Sequence, residues 1–582
     1  MKRITYAEIE EKLRSEAIAA LPSIRCAVLR NIVVEPIEPW LRYMAYEIGF
    51  NATCVFGEYD NVFQEAVSSG GQLLTRDTDC VLVFLRLETL SWDLARNFSG
   101  LSAQLISSEK ARIEDLISNV LNGIRRQTSA MILWHSFELP VYPAPEQTAV
   151  IESLNQILRQ ALARAENAYY IDLNLALARI GAEAFYDVRY WHIGKAPYSR
   201  DALREISIEI LKHVRALKGK QRKCLVLDCD NTLWGGIVGE DGLPAIKLGK
   251  TYPGSAYYEF QQEILNLYNR GIMIALCSKN NEADVWEVFE RHPDMLLRKE
   301  HIAAAQINWD NKITNLKQLA ADLNIGLDSL VFADDSEFET EQVRQYLPEV
   351  DVIELPPGRA VEYREMLARY PGFFNLTVTE EDKTRGAMYK AEANRKELQA
   401  TSLNLEDYYQ SLEMVLEIKI ADGFSIPRIA QLTQKTNQFN LTTRRYSDAD
   451  IRRFTETDTS DVLYTVLKDR FGDSGIVGVC ILKYEANQAI IDSFLLSCRV
   501  LGRGVEEAFL AHCLKRAKRR CTTAIGEYRR TAKNGQVKDF YSRRGFQVID
   551  SNDEMVTYSI ELEGQLTEPP RFFKSIESQV DL

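Results

Sequence analysis

Two aspartates spaced i, i+2, Asp228 and Asp230, close the short apolar run Cys224-Leu-Val-Leu227. Such a run reads as a buried parallel strand, whose carboxyl end is where open α/β sheets bind ligands. Strand alternation puts both carboxylates on one side, and core packing has no use for two acids there. Carboxylates in this arrangement can hold Mg²⁺, one attacking phosphorus while the other donates or accepts a proton. An acidic strand end with a turn is the plainer reading of this stretch alone. Three later stretches add to it. An apolar run Gly271–Cys277 ends in Ser278, whose hydroxyl and following N–H groups can hold phosphoryl oxygens. Lys312 opens a helical run, where an ammonium neutralises phosphate charge. A third run from Leu327 ends in Asp334-Asp335, suited to Mg²⁺. Hydroxyl turns and lysines at helix starts are common, so the argument lies in all four occurring in order.

These groups need a scaffold, and 582 residues imply three or four domains. The apolar and charged fractions, 46% and 26%, are those of a soluble globular protein. A formal charge of −13 argues against a general nucleic-acid binder. The exception is Lys515-Arg-Ala-Lys-Arg-Arg520, either a solvated helix end or a patch for an acidic protein or phosphate-bearing cofactor. The first residues lack the apolar core of a signal peptide, and no apolar stretch approaches a membrane span. Ten scattered cysteines suggest cytoplasmic thiols rather than a disulfide scaffold, and the six histidines never pair with them at zinc-ligand spacing. The expected location is cytoplasmic, with no membrane and no nucleic-acid partner.

Four segments are expected: 1–220, 221–375, a connector 376–410 with a polar helical stretch Glu380–Gln399, and 411–582. In the first, runs at Arg25–Leu29, Asp79–Leu85, Met131–Trp134 and Ala168–Leu173 alternate with helical tracts Leu101–Ile124 and Gln147–Ala165. That alternation predicts a parallel α/β sheet covered on both faces. Asp187 precedes His192 by five positions, close enough for an acid to orient a histidine base. In the last, Val415–Ile420 begins a strand, and Gly475–Leu482 and Ala489–Leu496 read as adjacent antiparallel strands. The segment Ile426–Arg445 is rich in amides and hydroxyls, a composition that suits recognition of a polar ligand or helix capping. A glycine turn, Arg499-x-x-Gly502-x-Gly504, precedes a helix from Val505, where N–H groups can cradle a pyrophosphate.

The first segment resembles an SGNH-hydrolase-like domain with a flavodoxin-type sheet. Leu29-Arg30-Asn31-Ile32 stands where that family's nucleophilic serine belongs, and the Asp-to-His spacing also departs from it. Without the hydroxyl, acyl transfer has no attacking atom, so a non-catalytic domain is expected. The ordered central motifs resemble the haloacid dehalogenase (HAD) superfamily, which implies a Rossmannoid core with minimal cap. The resemblance implies Asp228 as nucleophile, Asp230 as general acid/base, Thr232 and Ser278 as phosphate-binding groups and Lys312 as the phosphate-stabilising lysine. It implies a Mg²⁺ site of Asp228, Asp230, Asp334 and Asp335. The stretches Asp228–Gly242 and Asn308-Trp-Asp-Asn-Lys312 look FkbH-like, a subfamily associated with polyketide-type biosynthesis. That likeness implies dephosphorylation of 1,3-bisphosphoglycerate, a phosphorylated three-carbon acyl phosphate, and delivery of a glyceryl thioester to an acyl carrier protein. Arg499, Gly502 and Gly504, with Tyr541 in Phe540-Tyr-Ser-Arg-Arg-Gly-Phe546, resemble the GNAT fold. This implies that an α/β C-terminal domain binds coenzyme A or the phosphopantetheine arm of a carrier protein.

Acyl capture calls for a thiol. Cys229, between the two acids, and Cys277, beside Ser278, are the candidates, and the FkbH-like resemblance favours Cys229 as the catalytic thiol. A small packed core thiol is the alternative for each. An ordinary small-molecule phosphatase and a non-enzymatic carrier-protein platform are the competing functions.

Overall fold

A computed structural model of the protein describes residues 4–14, 16–68, 71–376, 395, 398, 404–531, 533–564, 566 and 568–579. The chain forms two compact units, Met1–Arg215 and Ala216–Leu582. Apart from Arg395 and Leu398, the helical stretch expected over 380–399 lies outside the described residues.

The first unit is built on β1 (Ser23–Arg30), β2 (Asn51–Phe56), β3 (Cys80–Phe84), β4 (Met131–His135) and β5 (Ala168–Ile171). Their order is β2-β1-β3-β4-β5 and every pairing is parallel, one of the doubly wound orders. All residues of β3 and β4 are buried, which is why both read as continuous apolar runs. Helices Ala103–Gln127 and Pro145–Arg164 contribute Ile113, Ile117, Val120, Ile151, Leu154 and Leu158 to the core at helical spacing.

The second unit contains two sheets. In the central one, β6 (Cys224–Leu227), β7 (Met273–Ser278), β8 (Ile302–Ile307), β9 (Leu330–Asp334) and β10 (Asp351–Glu354) are all parallel. The order is β10-β9-β6-β7-β8, so β6 is the middle strand. Alternation divides it between two cores. Leu225, Leu227 and Cys229 pack with Phe260 and Ile264, whereas Cys224 and Val226 pack with Leu316, Phe332 and Cys277. Each fully buried leucine contributes about 1.5–3 kcal/mol, enough to fix the register that delivers Asp228 to the sheet edge. The turn after β6 is small: Gly235 and Lys247 pair in both directions, and between them lies one four-residue helix, Val238–Asp241.

The C-terminal sheet has eight strands in the order β16-β17-β15-β14-β13-β12-β11-β18. Here β11 is Val415–Ile420, β12 Ser460–Asp469, β13 Gly472–Glu485, β14 Gln488–Leu496 and β15 Thr523–Arg529. The others are β16 (Gln547–Ser551), β17 (Met555–Glu561) and β18 (Ser575–Ser578). As expected, β13 and β14 are antiparallel. The β14–β15 pair is parallel and short, joining only Gln488–Ile491 to Thr523–Gly526. Beyond it, Phe439–Leu441 enters between the strands. Leu441 N donates to Phe494 O and Leu496 N to Phe439 O, while Arg529 N donates to Leu441 O.

Candidate active site

The carboxyl ends of β6, β7 and β9 bring four sequence motifs together. Asp228 and Asp334 are buried, and Lys312 lies between them, its Nζ donating to Asp228 Oδ1 at 2.8 Å and to Asp334 Oδ2 at 2.5 Å. Lys312 is the first residue of helix Lys312–Asp322, held there by the Asn311 cap, whose side chain accepts from Thr314 N at 2.8 Å. Ser336 N donates to Asp334 Oδ1 at 2.8 Å, turning the chain sharply after β9.

Oxygens of Asp228, Asp334 and Asp335 lie within 4.8 Å of one another. Burial, then the Asp228 charge, raises the Asp334 carboxyl, and the same causes with Asp334 push Asp335 up to about 7. Burial alone would lower the Lys312 ammonium, but Asp228 and Asp334 outweigh it and hold the group charged. Three crowded carboxylates against one ammonium are a hard-oxygen donor set that a divalent cation would relieve.

Asp230 stands apart from that trio. Its Oδ1 accepts from Trp234 Nε1 at 2.8 Å and Val238 N at 3.0 Å, and its Oδ2 from Asn280 Nδ2 at 2.7 Å. Burial raises its carboxyl, while these hydrogen bonds oppose the shift. Neither Trp234 nor Asn280 was singled out from sequence. Asn280 follows Ser278 in the polar turn, and that position was the available signal. Asn231, at φ 55°, makes the hairpin after Asp230 possible, and its Oδ1 accepts from Gly236 N at 2.9 Å. Thr232 is fully buried, and its Oγ1 has no hydrogen-bond partner among the described residues. A hydroxyl left in that state is costly unless a ligand satisfies it. Ser278 is buried at the end of β7.

The two thiols have core surroundings. Cys229 is fully buried on the side of Leu225 and Leu227; burial, then the Asp228 charge, raises its thiol well above the ordinary range. Cys277 is fully buried in the opposite core, and burial raises it as well. Neither environment favours a thiolate.

The chain is similar to a solved structure: the N-terminal part of the protein BF1531 from Bacteroides fragilis, containing a phosphatase domain complexed with Mg. The two are 28% identical with a TM-score of 0.58 over 64% of this chain and all of that one. The chain contains a HAD-like phosphatase fold. A quarter of the chain also aligns with the Escherichia coli ribosomal-protein-S18-alanine N-acetyltransferase, at 14% identity, 94% of that chain and a TM-score of 0.21. A GNAT-family putative acetyltransferase from Desulfovibrio desulfuricans aligns likewise, at 11% identity, 25% of this chain, 99% of that one and TM-score 0.21. No family model and no curated protein matches the chain.

The other expected sites have different surroundings. Gly502 and Gly504 adopt φ of 73° and 72°, as a glycine turn before a helix requires. The turn is filled by the chain itself: Gly502 N donates to Glu506 Oε1 at 3.2 Å, and a Cβ on Gly504 would lie 2.6 Å from Phe572 Cζ. Tyr541 is 1% exposed and packs in the core against Phe546 and Tyr558. Arg499 Nε donates to Ser497 Oγ at 3.1 Å. In the polar segment 426–445, Arg445 donates to Gln434 O at 2.7 Å and Thr436 O at 3.0 Å, while Arg444 donates to Asp492 Oδ1 at 3.0 Å and Glu527 Oε2 at 2.8 Å. In the basic run, Arg516 donates to Asp461 at 2.8 Å and Arg520 to Asp458 O at 2.7 Å.

In the first unit, Asn31 is fully buried. It accepts from Arg86 N at 2.7 Å and donates to Arg86 O at 3.1 Å, tying the end of β1 to that of β3. Asp187 caps helix Val188–Gly194 by accepting from Tyr190 N at 3.1 Å, and His192 is exposed. Asp187 thus serves as a helix cap. Among the described residues, no helix is long and apolar enough to cross a membrane.

Proposed function

We propose that this chain is a Mg²⁺-dependent phosphatase of the HAD type, acting on a small phosphorylated molecule. The observation that carries the reading is the close trio of Asp228, Asp334 and the half-buried Asp335, the first two paired with Lys312, at the carboxyl ends of adjacent parallel strands. These three carboxylates would hold the Mg²⁺, which supplies charge neutralisation at the phosphoryl oxygens. A free Asp228 oxygen attacks phosphorus, forming an O–P bond as the ester O–P bond breaks. The leaving oxygen keeps the electron pair and takes a proton from Asp230, which Trp234, Val238 and Asn280 hold in position. Water then attacks the phosphoaspartate, giving its proton back to Asp230 and releasing phosphate and the Asp228 carboxylate. Lys312 offsets charge on the phosphoryl group, and the Thr232 and Ser278 hydroxyls hold its oxygens. Phosphate release from a panel of monoesters and acyl phosphates, with Mg²⁺ and with chelator, tests this. Release that is absent, or that continues undiminished in chelator, overturns it.

A second, finer reading is favoured by the small turn after β6, which leaves room for a partner's prosthetic arm. In it, Asp228 removes the phosphomonoester of 1,3-bisphosphoglycerate. The carrier's pantetheine thiol attacks the acyl carbon; a C–S bond forms, the C–O bond breaks, phosphate leaves with the electron pair and the thiol proton passes to water. The burial of Cys229 and Cys277 supports direct transfer over a protein-thiol relay. The C-terminal domain, read as GNAT-like, would dock the arm, and the SGNH-like first unit would serve as a scaffold. Intact mass spectrometry of a phosphopantetheinylated carrier with 1,3-bisphosphoglycerate and Mg²⁺ tests it. Glyceryl loading that survives Cys229→Ala is the expected result; phosphate release without any carrier adduct rejects this reading and leaves the phosphatase. Loading lost in Cys229→Ala while phosphate release persists would restore the thiol relay.

A further inference from the structure

Two tryptophans are linked to Asp230, and the fold treats them in opposite ways. Trp234 is fully buried and bonds Asp230 directly. Trp309 is 71% exposed, yet it is held in place. Its Nε1 donates to Asn281 Oδ1 at 3.2 Å, and the neighbouring Asn280 donates to Asp230 Oδ2 at 2.7 Å. The loop that carries Trp309 is tied on both sides. Asn308 N donates to Ser278 O at 3.1 Å, Asp310 N donates to Asn308 Oδ1 at 3.0 Å, and Asn311 caps the helix that begins at Lys312. An indole fixed at its N–H edge keeps a flat apolar face in water and gains little from burial.

A single exposed apolar side chain is ordinary, but Trp309 has company at the same edge of the sheet. Phe338, 65% exposed, lies in the first turn of helix Glu337–Tyr346, three positions beyond Asp335. Ile237, 40% exposed, lies in the turn after β6. The three come from the segments that follow β8, β9 and β6, at the carboxyl edge that holds Asp228. Strands β8 and β9 are three spacings apart, about 14 Å, so their loops flank the ends of β6 and β7. Within that rim Trp309 belongs to the side of Asp230, the group that protonates the leaving oxygen. Its face is therefore set to meet the body of the leaving group rather than the phosphate.

We propose that Trp309 is a specificity-determining residue of the phosphatase site, selecting a phosphate monoester whose leaving group is apolar or aromatic. The ring face packs on that group, and Phe338 and Ile237 complete the rim, while Asp230 protonates the leaving oxygen. This rests on the phosphatase reading and competes with glyceryl transfer, whose three-carbon substrate has no apolar body. The test is Mg²⁺-dependent phosphate release by the full chain from benzyl phosphate and from glycerol 1-phosphate, two alkyl esters that differ in the polarity of the body. Wild type should prefer benzyl phosphate by at least about fivefold in kcat/KM. Trp309→Ala should lose most of that preference through a higher KM for benzyl phosphate. Trp309→Phe, which keeps a ring without the N–H, should retain it. No preference in the wild type, or one that Trp309→Ala leaves intact, overturns the inference and leaves the phosphatase standing. Equal losses on both esters in Trp309→Phe overturn it as well, assigning the indole to holding Asn281. Release from no ester at all rejects the phosphatase reading itself, and this inference with it.

Discussion

Asp228–Thr232 and Arg499–Gly504 both follow strands and both read from sequence as places for a phosphate, yet their surroundings differ in kind. At the first, acids from two strands crowd around one lysine and a buried threonine hydroxyl lacks a partner among the described residues. At the second, the backbone has the expected positive φ values, but Glu506 accepts the Gly502 N–H and Phe572 closes over Gly504. A local motif specifies a backbone path. Whether that path is a site depends on what the rest of the chain packs against it, and unmet polar groups mark the difference.

The largest expected effect tests the first half of this contrast. Asp228→Asn keeps the shape of the site but removes the nucleophile, so phosphate release should fall at least about 10³-fold. Lys312→Met should lower release by about 10²–10³-fold. Without metal it should also cost about 3–5 kcal/mol of stability, because buried carboxylates lose their counter-charge. Denaturant melts should show Mg²⁺ stabilising this variant more than the wild type. Equal stabilisation of both would mean that the trio is not where the cation binds.

Gly504→Ala tests the second half. A methyl at φ 72° meeting Phe572 Cζ at 2.6 Å should destabilise the C-terminal domain by about 1–3 kcal/mol while leaving phosphate release by the folded protein unchanged. A neutral effect on denaturant melting would mean the turn is open enough to admit a ligand.

The contrast also explains what was legible in the sequence. The ends of β6, β7 and β9 were readable because each couples a continuous apolar run to its polar residues within a few positions. The edge strands β2, β8 and β10 were not. They are half-exposed and without an apolar run that stands out from a loop. At the site, Asp230 could be named from its spacing, but the Trp234 and Asn280 bonds that orient it need the folded turn. The contiguous basic run at Lys515–Arg520, which stands out in the sequence, includes arginines already engaged locally. Phe572, which closes the glycine turn, lies nearly seventy positions beyond it.

Glu506 gives the smallest and sharpest test. It is half-buried in the first turn of helix Val505–Lys518, where its Oε2 has no hydrogen-bond partner among the described residues. Burial, then the charge of Glu507, pushes its carboxyl up to about 7. A carboxyl whose folded value is raised holds its proton in the native state after the unfolded chain has released it. Its contribution to stability is therefore present at acidic pH and is lost as pH rises from about 4.5 through about 7. Glu506→Gln keeps an acceptor for Gly502 N and removes the titration. At pH 5 the variant and the wild type should melt within a few tenths of a kcal/mol of each other. At pH 8 the variant should be more stable by about 1–2 kcal/mol, a figure reduced for the partial exposure of the group. Identical pH profiles would show that water or a bound cation reaches the carboxylate. The turn at Gly502 would then be more open than its packing against Phe572 implies.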